Sequence, residues 1–240
     1  MATGRPCVLL IPMLDALLLE LEGVIVETRA ARFDALARAL ADDGVVALPD
    51  TAADAVLGLR PLEGATAALD LLGLTRDPTA IELIGLRAAR YFAERLRQGV
   101  SLREGVRVVI ANAHARSRLA LVTRADRATA YAVLSPAGLF DYFEVIVSCE
   151  DVLDPKPSSA GYLRALDRLH SRRPLAVDRV LTLEDARPGI LAARSAGVRC
   201  LAVGDLPAHH AVEADGWVPS LAEAGADVLT ELERWAHEAA

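Results

Sequence analysis

The chain has 240 residues, 53% of them hydrophobic and 4% aromatic, with a formal charge of −7. That hydrophobic share excludes a disordered chain, and the scarcity of aromatics favours helix-rich packing around a modest sheet. The acidic balance excludes general nucleic-acid binding, which needs Lys and Arg in excess, but leaves room for a small anion held by one or two local cations. Cys7, Cys149 and Cys200 are odd in number and far apart, so neither a disulfide frame nor a zinc site is expected, and a reduced cytoplasmic setting is. No apolar run approaches the ~20 residues of a membrane-spanning helix. Val8–Leu21 resembles a signal core only until Pro12 and Asp15 interrupt it, so residues 1–12 are read as an N-terminal extension.

The first predicted strand covers Leu14–Leu19, an apolar run that ends in two carboxylates, Glu20 and Glu22, and turns through Gly23. An amphipathic helix follows, with Phe33, Leu36, Ala37 and Leu40 on one face, ending near Asp43-Gly44. The pattern stays helical throughout 29–98, without strand alternation, and is read as a helical insertion. Its core is expected at Leu57, Leu69, Leu72, Leu83, Ile84, Leu86 and Phe92. After Glu104-Gly105, helices are predicted over Val106–Ala115, Asp126–Leu134, Ser159–His170 and Pro188–Ala196. Strands alternate with them at Leu119–Thr123, Phe143–Ser148, Arg179–Leu183 and Val198–Val203, and Trp217-Val218 is placed at a late sheet edge. A capping box at Ser220–Glu223 opens a last helix towards Trp235. Such alternation predicts an α/β fold, a doubly wound parallel sheet with covered faces, built from 13–28 and 99–240.

In a parallel sheet every C-terminal strand end lies on one edge. The predicted strands bring Glu20, Glu22, Thr123 and Glu184-Asp185 there, and the loop after Phe143–Ser148 adds Lys156. Carboxylates gathered so closely repel one another unless a cation sits among them, and an oxygen-rich set suits Mg²⁺. A hydroxyl, a backbone N–H and a lysine together suit a phosphate. The outline is that of phosphoryl transfer on a small phosphorylated metabolite.

The segments LLLELEGVIVET, LALVTRAD, DPKPSSAGYLRAL and LTLEDARPGILAARSAG are similar to the four motifs of the haloacid dehalogenase superfamily. The resemblance is to the branch containing phosphoglycolate phosphatases and β-phosphoglucomutases, and runs from about Met13 onwards. It implies a Rossmann-like core with 29–98 as an inserted cap. It also implies a nucleophile at Glu20, a general acid/base at Glu22, phosphoryl contacts from Thr123 and Lys156, and Mg²⁺ held by the acidic pair Glu184-Asp185 with help from the residue 22 carbonyl. One departure is serious: the family has aspartate at both first-motif positions, where this chain has Glu20 and Glu22. Each extra methylene moves a carboxylate by about 1 Å, a displacement that costs on the order of 10²-fold where in-line geometry is required.

Two functions therefore stand side by side. One is a Mg²⁺-dependent phosphatase or phosphomutase using Glu20. The other is a catalytically impaired domain that binds Mg²⁺ and a phosphorylated ligand without turnover. A halide-releasing dehalogenase is disfavoured by Glu184-Asp185, which such relatives do not need. Arg60 is a candidate substrate contact from the cap or a solvent-facing arginine, and Arg124 a candidate phosphate contact beside Thr123. Glu27 and Thr28 belong either to the hinge of the cap or to the start of the helix at Arg29. His209 and His210 read as surface loop, and His114, His170 and His237 as structural or exposed.

Overall fold

The computed structural model describes residues 14–45, 47–56 and 59–222. The last predicted helix, Leu57 and the extension at 1–12 lie outside them. The elements in order are β1 (Ala16–Leu19), α1 (Arg29–Ala41), α2 (Ala53–Val56), α3 (Pro61–Leu71), α4 (Pro78–Arg97), α5 (Val106–His114), β2 (Arg118–Val122), α6 (Arg127–Leu134), β3 (Val145–Val147), α7 (Ala160–Arg172), β4 (Val180–Glu184), α8 (Arg187–Ser195), β5 (Arg199–Val203), α9 (Ala208–Ala211) and β6 (Gly216–Val218). The contacts divide the chain into two compact units. Among the described residues, the first takes in 14–25, 103–127 and 141–222, and the second the described part of 26–102 with 128–140.

The first unit is built on a six-stranded, all-parallel sheet in the order β3-β2-β1-β4-β5-β6. β1 is central and fully buried on both faces, which is why ALLL has no polar alternation. Its Leu19 stands level with Leu121 of β2 and Leu183 of β4. The chain winds outwards from β1 through β2 to β3, then returns to β4 on the other side. The order reverses beside β1, and a crevice opens at that reversal outside the carboxyl ends of the strands. One face of the sheet carries Ala16, Leu18, Val122, Val180 and Cys200, which pack on Tyr162 and Leu166 of α7 and Ile190 of α8. Side-chain alternation puts Thr182 and Glu184 on that same face, and Glu20 follows Leu18 onto it.

The loop after β3 is held by charge. Asp151 accepts from the Ser148 N–H (2.9 Å) and hydroxyl (3.0 Å), and from Arg168 (2.6 Å) and Arg127 (2.9 Å). Burial opposes the Asp151 charge, but those donors outweigh it and bring its pKa down to about 2. The folded value is depressed, so the stabilisation is complete above the unfolded value near 4 and fades as pH falls towards about 2. A shift of that size corresponds to about 2 kcal/mol. Asp151→Asn is expected to lose roughly that amount at neutral pH and to flatten the acid limb of a urea-midpoint profile. A variant profile parallel to the parent would contradict this.

In the second unit α1 and α3 both pack on α4. α4 starts with Asp77 as N-cap, accepting from the Ala80 N–H at 3.0 Å, and with Pro78 in its first turn. It buries Ile84, Gly85, Ala88, Tyr91, Phe92 and Leu96. Leu83 and Leu86, expected in the core, lie on the exposed side of the same helix. Both faces there carry leucines, and only the partner helices decide which is covered. On α1 the buried residues are Ala35, Leu36, Ala39 and Leu40, with Phe33 and Ala37 at the margin. Thr28 precedes α1 without a side-chain capping bond; Glu27 accepts from the Arg29 N–H instead, at 2.9 Å.

Candidate active site

Glu20 is the first residue after β1 and is 6% exposed. One carboxylate oxygen accepts from the Leu21 N–H (2.8 Å) and the Thr123 hydroxyl (2.5 Å); the other accepts from the Lys156 ammonium (2.5 Å). Thr123, just past β2, also accepts from the Ala125 N–H at 3.1 Å, which tightens the turn that presents it. Lys156 donates to Glu20, to the Val122 carbonyl (2.7 Å) and to Glu184 (2.5 Å). An ammonium has three donors, and all three are used.

Lys156 is also the single lysine of the chain, which has 25 arginines. A guanidinium is planar and presents a fixed fork of five donors, whereas this pocket takes a compact point charge with three acceptors around it. The residue count by itself sets Lys156 apart. Burial works against its charge, but Glu184 and Glu20 outweigh burial and hold the ammonium above its ordinary range.

Glu184 ends β4 and is 1% exposed. Its Oε1 accepts from Lys156 and from the Tyr162 hydroxyl. Burial lifts its carboxyl above the usual carboxylate range, with Lys156 restraining it in part. A Cβ on Gly189 would fall 2.0 Å from the other Glu184 oxygen, so the start of α8 is backed against this side chain. Tyr162 and Thr182 join this group; they lie inside the third and fourth motif segments, which assigned them no role. The Thr182 hydroxyl lies 3.2 Å from both the Tyr162 hydroxyl and the Leu18 carbonyl, and its one proton serves one of them at a time.

Asp185 lies one residue beyond, over Gly23. A Cβ there would sit 1.8 Å from Asp185 Oδ2, and the glycine φ of +81° is in the left-handed region. No donor from the described residues bonds the Asp185 carboxylate. Burial, then the charges of Glu184 and Glu20, push its pKa well up. Glu22 is half-buried in the turn after β1, and its charge adds to the same effect. Arg124 is half-buried and shares a narrow crevice with Thr123, Ser148, Cys149 and Lys156. Arg60 belongs to the second unit, where its backbone and side chain both bond Glu63.

The donor chemistry fits a small, hard divalent cation. Asp185 supplies a carboxylate with no competing donor, cradled on a glycine, amid surplus negative charge and oxygen ligands. Among the described residues no three His, Cys, Asp or Glu side chains gather as a ready metal cage. Mg²⁺ does not require one, since it keeps several waters and is commonly held by one or two carboxylates plus substrate oxygens. A larger cleft, about 500 Å³, opens elsewhere in this unit between Arg116, Tyr142 and Arg173. Its buried charge, Arg118, donates to both oxygens of Glu144 and to the carbonyls of Leu169 and Arg173, so it is a structural bridge.

Among the described residues, no histidine joins this site. His114 rests edge-on against Tyr142. His209 and His210 sit in the short α9 with ring centroids 4.2 Å apart, rather than in a loop. No described helix is long and apolar enough to cross a membrane.

Residues 17–203 match the family model of haloacid dehalogenase-like hydrolases. The chain belongs to that family. It is 27% identical over 186 residues to a phosphorylated carbohydrates phosphatase of Thermotoga maritima, covering 77% of this chain and 82% of that one. It is 34% identical over 164 residues to the protein CbbY of Rhodobacter capsulatus, covering 65% and 70%. The crystal structure of CbbY from Rhodobacter sphaeroides, in complex with phosphate, superposes with a TM-score of 0.74 at 26% identity, covering 89% of this chain and 97% of that one. A β-phosphoglucomutase from Clostridium difficile shares the fold, with a TM-score of 0.78 at 17% identity and coverage of 95% and 99%. The family is the one that the four sequence motifs implied, and the similar proteins include a phosphatase; the likeness to the β-phosphoglucomutase is one of fold.

Proposed function

We propose that this family member is a Mg²⁺-dependent phosphatase or phosphomutase acting on a small phosphorylated metabolite in the cytoplasm. The observation that carries the reading is the meeting of Glu20, Thr123, Lys156, Glu184 and Asp185 at the reversal point of the sheet. The Thr123 hydroxyl and Lys156 ammonium are suited to bind phosphoryl oxygens, and Arg124 stands beside them. A Glu20 oxygen would bond phosphorus as the bond to the leaving oxygen breaks, with Glu22 giving that oxygen a proton. Water would then release the phosphate, Glu22 taking the proton back. Asp185, with the residue 22 carbonyl and Glu20, would hold the Mg²⁺, and Glu184 would steady Lys156. When bound, Mg²⁺ offsets charge on the transferring group. Residues 29–98 are assigned the cap role and, with it, substrate choice. One relative, CbbY of Rhodobacter sphaeroides in mutant form, holds xylulose-(1,5)bisphosphate, which makes sugar phosphates a sensible starting set.

One observation favours the second reading, binding without turnover. The three donors that would greet a phosphoryl oxyanion, from Leu21, Thr123 and Lys156, are all taken by the Glu20 carboxylate itself. Phosphate-release assays with Mg²⁺ on sugar phosphates, phosphoglycolate and p-nitrophenyl phosphate separate the two. Turnover that disappears in Glu20→Ala is expected. Release no faster than in that variant, on every substrate, would remove the enzyme and leave the binding domain.

A further inference from the structure

Lys156 can serve a phosphoryl group only while its ammonium is held at the crevice beside Glu20, and one of its three acceptors, Glu184, is itself a flexible side chain. What fixes Glu184 is Tyr162. This tyrosine of α7 is fully buried and gives its one hydroxyl proton to the same Oε1 that receives the lysine. Its ring lies 5.2 Å from Lys156 Nζ, so the aromatic body flanks the ammonium while its polar end holds the ammonium's partner. Gly189 backs the other oxygen of the Glu184 carboxylate, where even a Cβ would collide with it. The Thr182 hydroxyl of β4 lies 3.2 Å from the phenol oxygen and can turn its own proton to it, so the phenol proton stays with Glu184.

A phenylalanine would fill the same core volume, so packing does not account for a hydroxyl placed here. We propose that Tyr162 is a positioning residue for the phosphoryl site: through Glu184 it aims the only lysine of the chain at Glu20. The proposal rests on the phosphoryl-transfer reading for its purpose, but its geometry can be tested without turnover. Because there is one lysine, protein labelled with ¹⁵N at the lysine Nζ has one side-chain ammonium signal and needs no assignment.

In the parent that signal is expected to be slow to exchange with water, as suits three bonded N–H groups. In Tyr162→Phe it should shift and exchange faster. Affinity for inorganic phosphate with Mg²⁺, measured by calorimetry, should weaken on the order of 10-fold, the usual cost of losing a partner that orients a ligating group. The melting temperature should fall only slightly. An unchanged ammonium signal with unchanged phosphate affinity would overturn the proposal. Should Tyr162→Phe unfold the core, incorporating 3-fluorotyrosine keeps the shape and strengthens the phenol as a donor. The same signal must then move, and its failure to move would be equally decisive. A parent without turnover would sink the phosphatase reading alone, since the ammonium signal still reports on Tyr162.

Discussion

Lys156→Met is expected to lower the unfolding free energy by about 3–5 kcal/mol, the range for removing one partner of a buried ion pair. Methionine matches the length of the stem but leaves Glu20 and Glu184 facing each other without a cation, at 6% and 1% exposure. Glu184, whose carboxyl burial lifts and Lys156 restrains, would be driven to protonate. A carboxyl whose folded pKa lies above its unfolded one binds more protons when native, so stability falls as pH rises through that interval. The deficit of the variant should therefore be larger at mildly alkaline than at mildly acidic pH. Denaturant titrations in the presence of a chelator would measure it, and equal deficits at both ends would mean the carboxylates are not the cause. The same variant should lose phosphate binding, because the one cation among the three donors is gone.

Shortening both first-motif glutamates should have the largest effect on chemistry. Glu20→Asp with Glu22→Asp is expected to raise turnover on the order of 10²-fold, the scale of a 1 Å correction in a site that needs in-line approach. Withdrawing the Glu20 carboxylate by one methylene would also loosen its hold on Thr123 and Lys156, freeing those donors for an incoming phosphoryl group. Phosphate affinity should therefore tighten alongside the gain in rate. A double variant no faster than the parent on any substrate would refute the argument from reach. It would point instead to a backbone already adjusted to the longer side chains.

Much of this architecture is legible in the sequence because parallel strands leave a simple signature. Buried runs such as ALLL and RLALV are apolar where they cross the sheet, and the polar residues that follow them fall on one edge by topology alone. Glu20, Thr123 and Glu184 are found that way. Tyr162 is not, because a tyrosine at helical spacing reads as an ordinary core aromatic; only the packing of α7 on the sheet face that carries Thr182 and Glu184 sets its hydroxyl against Glu184. Leu83 and Leu86 are misplaced by pattern for a related reason. Helical periodicity says that a stripe will be covered but not which of two apolar stripes meets α1. Arg60 and Glu63, three residues apart, can be paired from their spacing on a helix start.

The glycine beneath Asp185 makes the acidic positions unequal in what they can become. At 20 the longer acid finds hydroxyl, amide and ammonium groups within reach, so added length is absorbed by bonding. At 185 the carboxylate already abuts the main chain of residue 23, and one more carbon would drive it into the backbone. A drift from aspartate to glutamate is thus tolerable on one wall of this pocket and barred on the other.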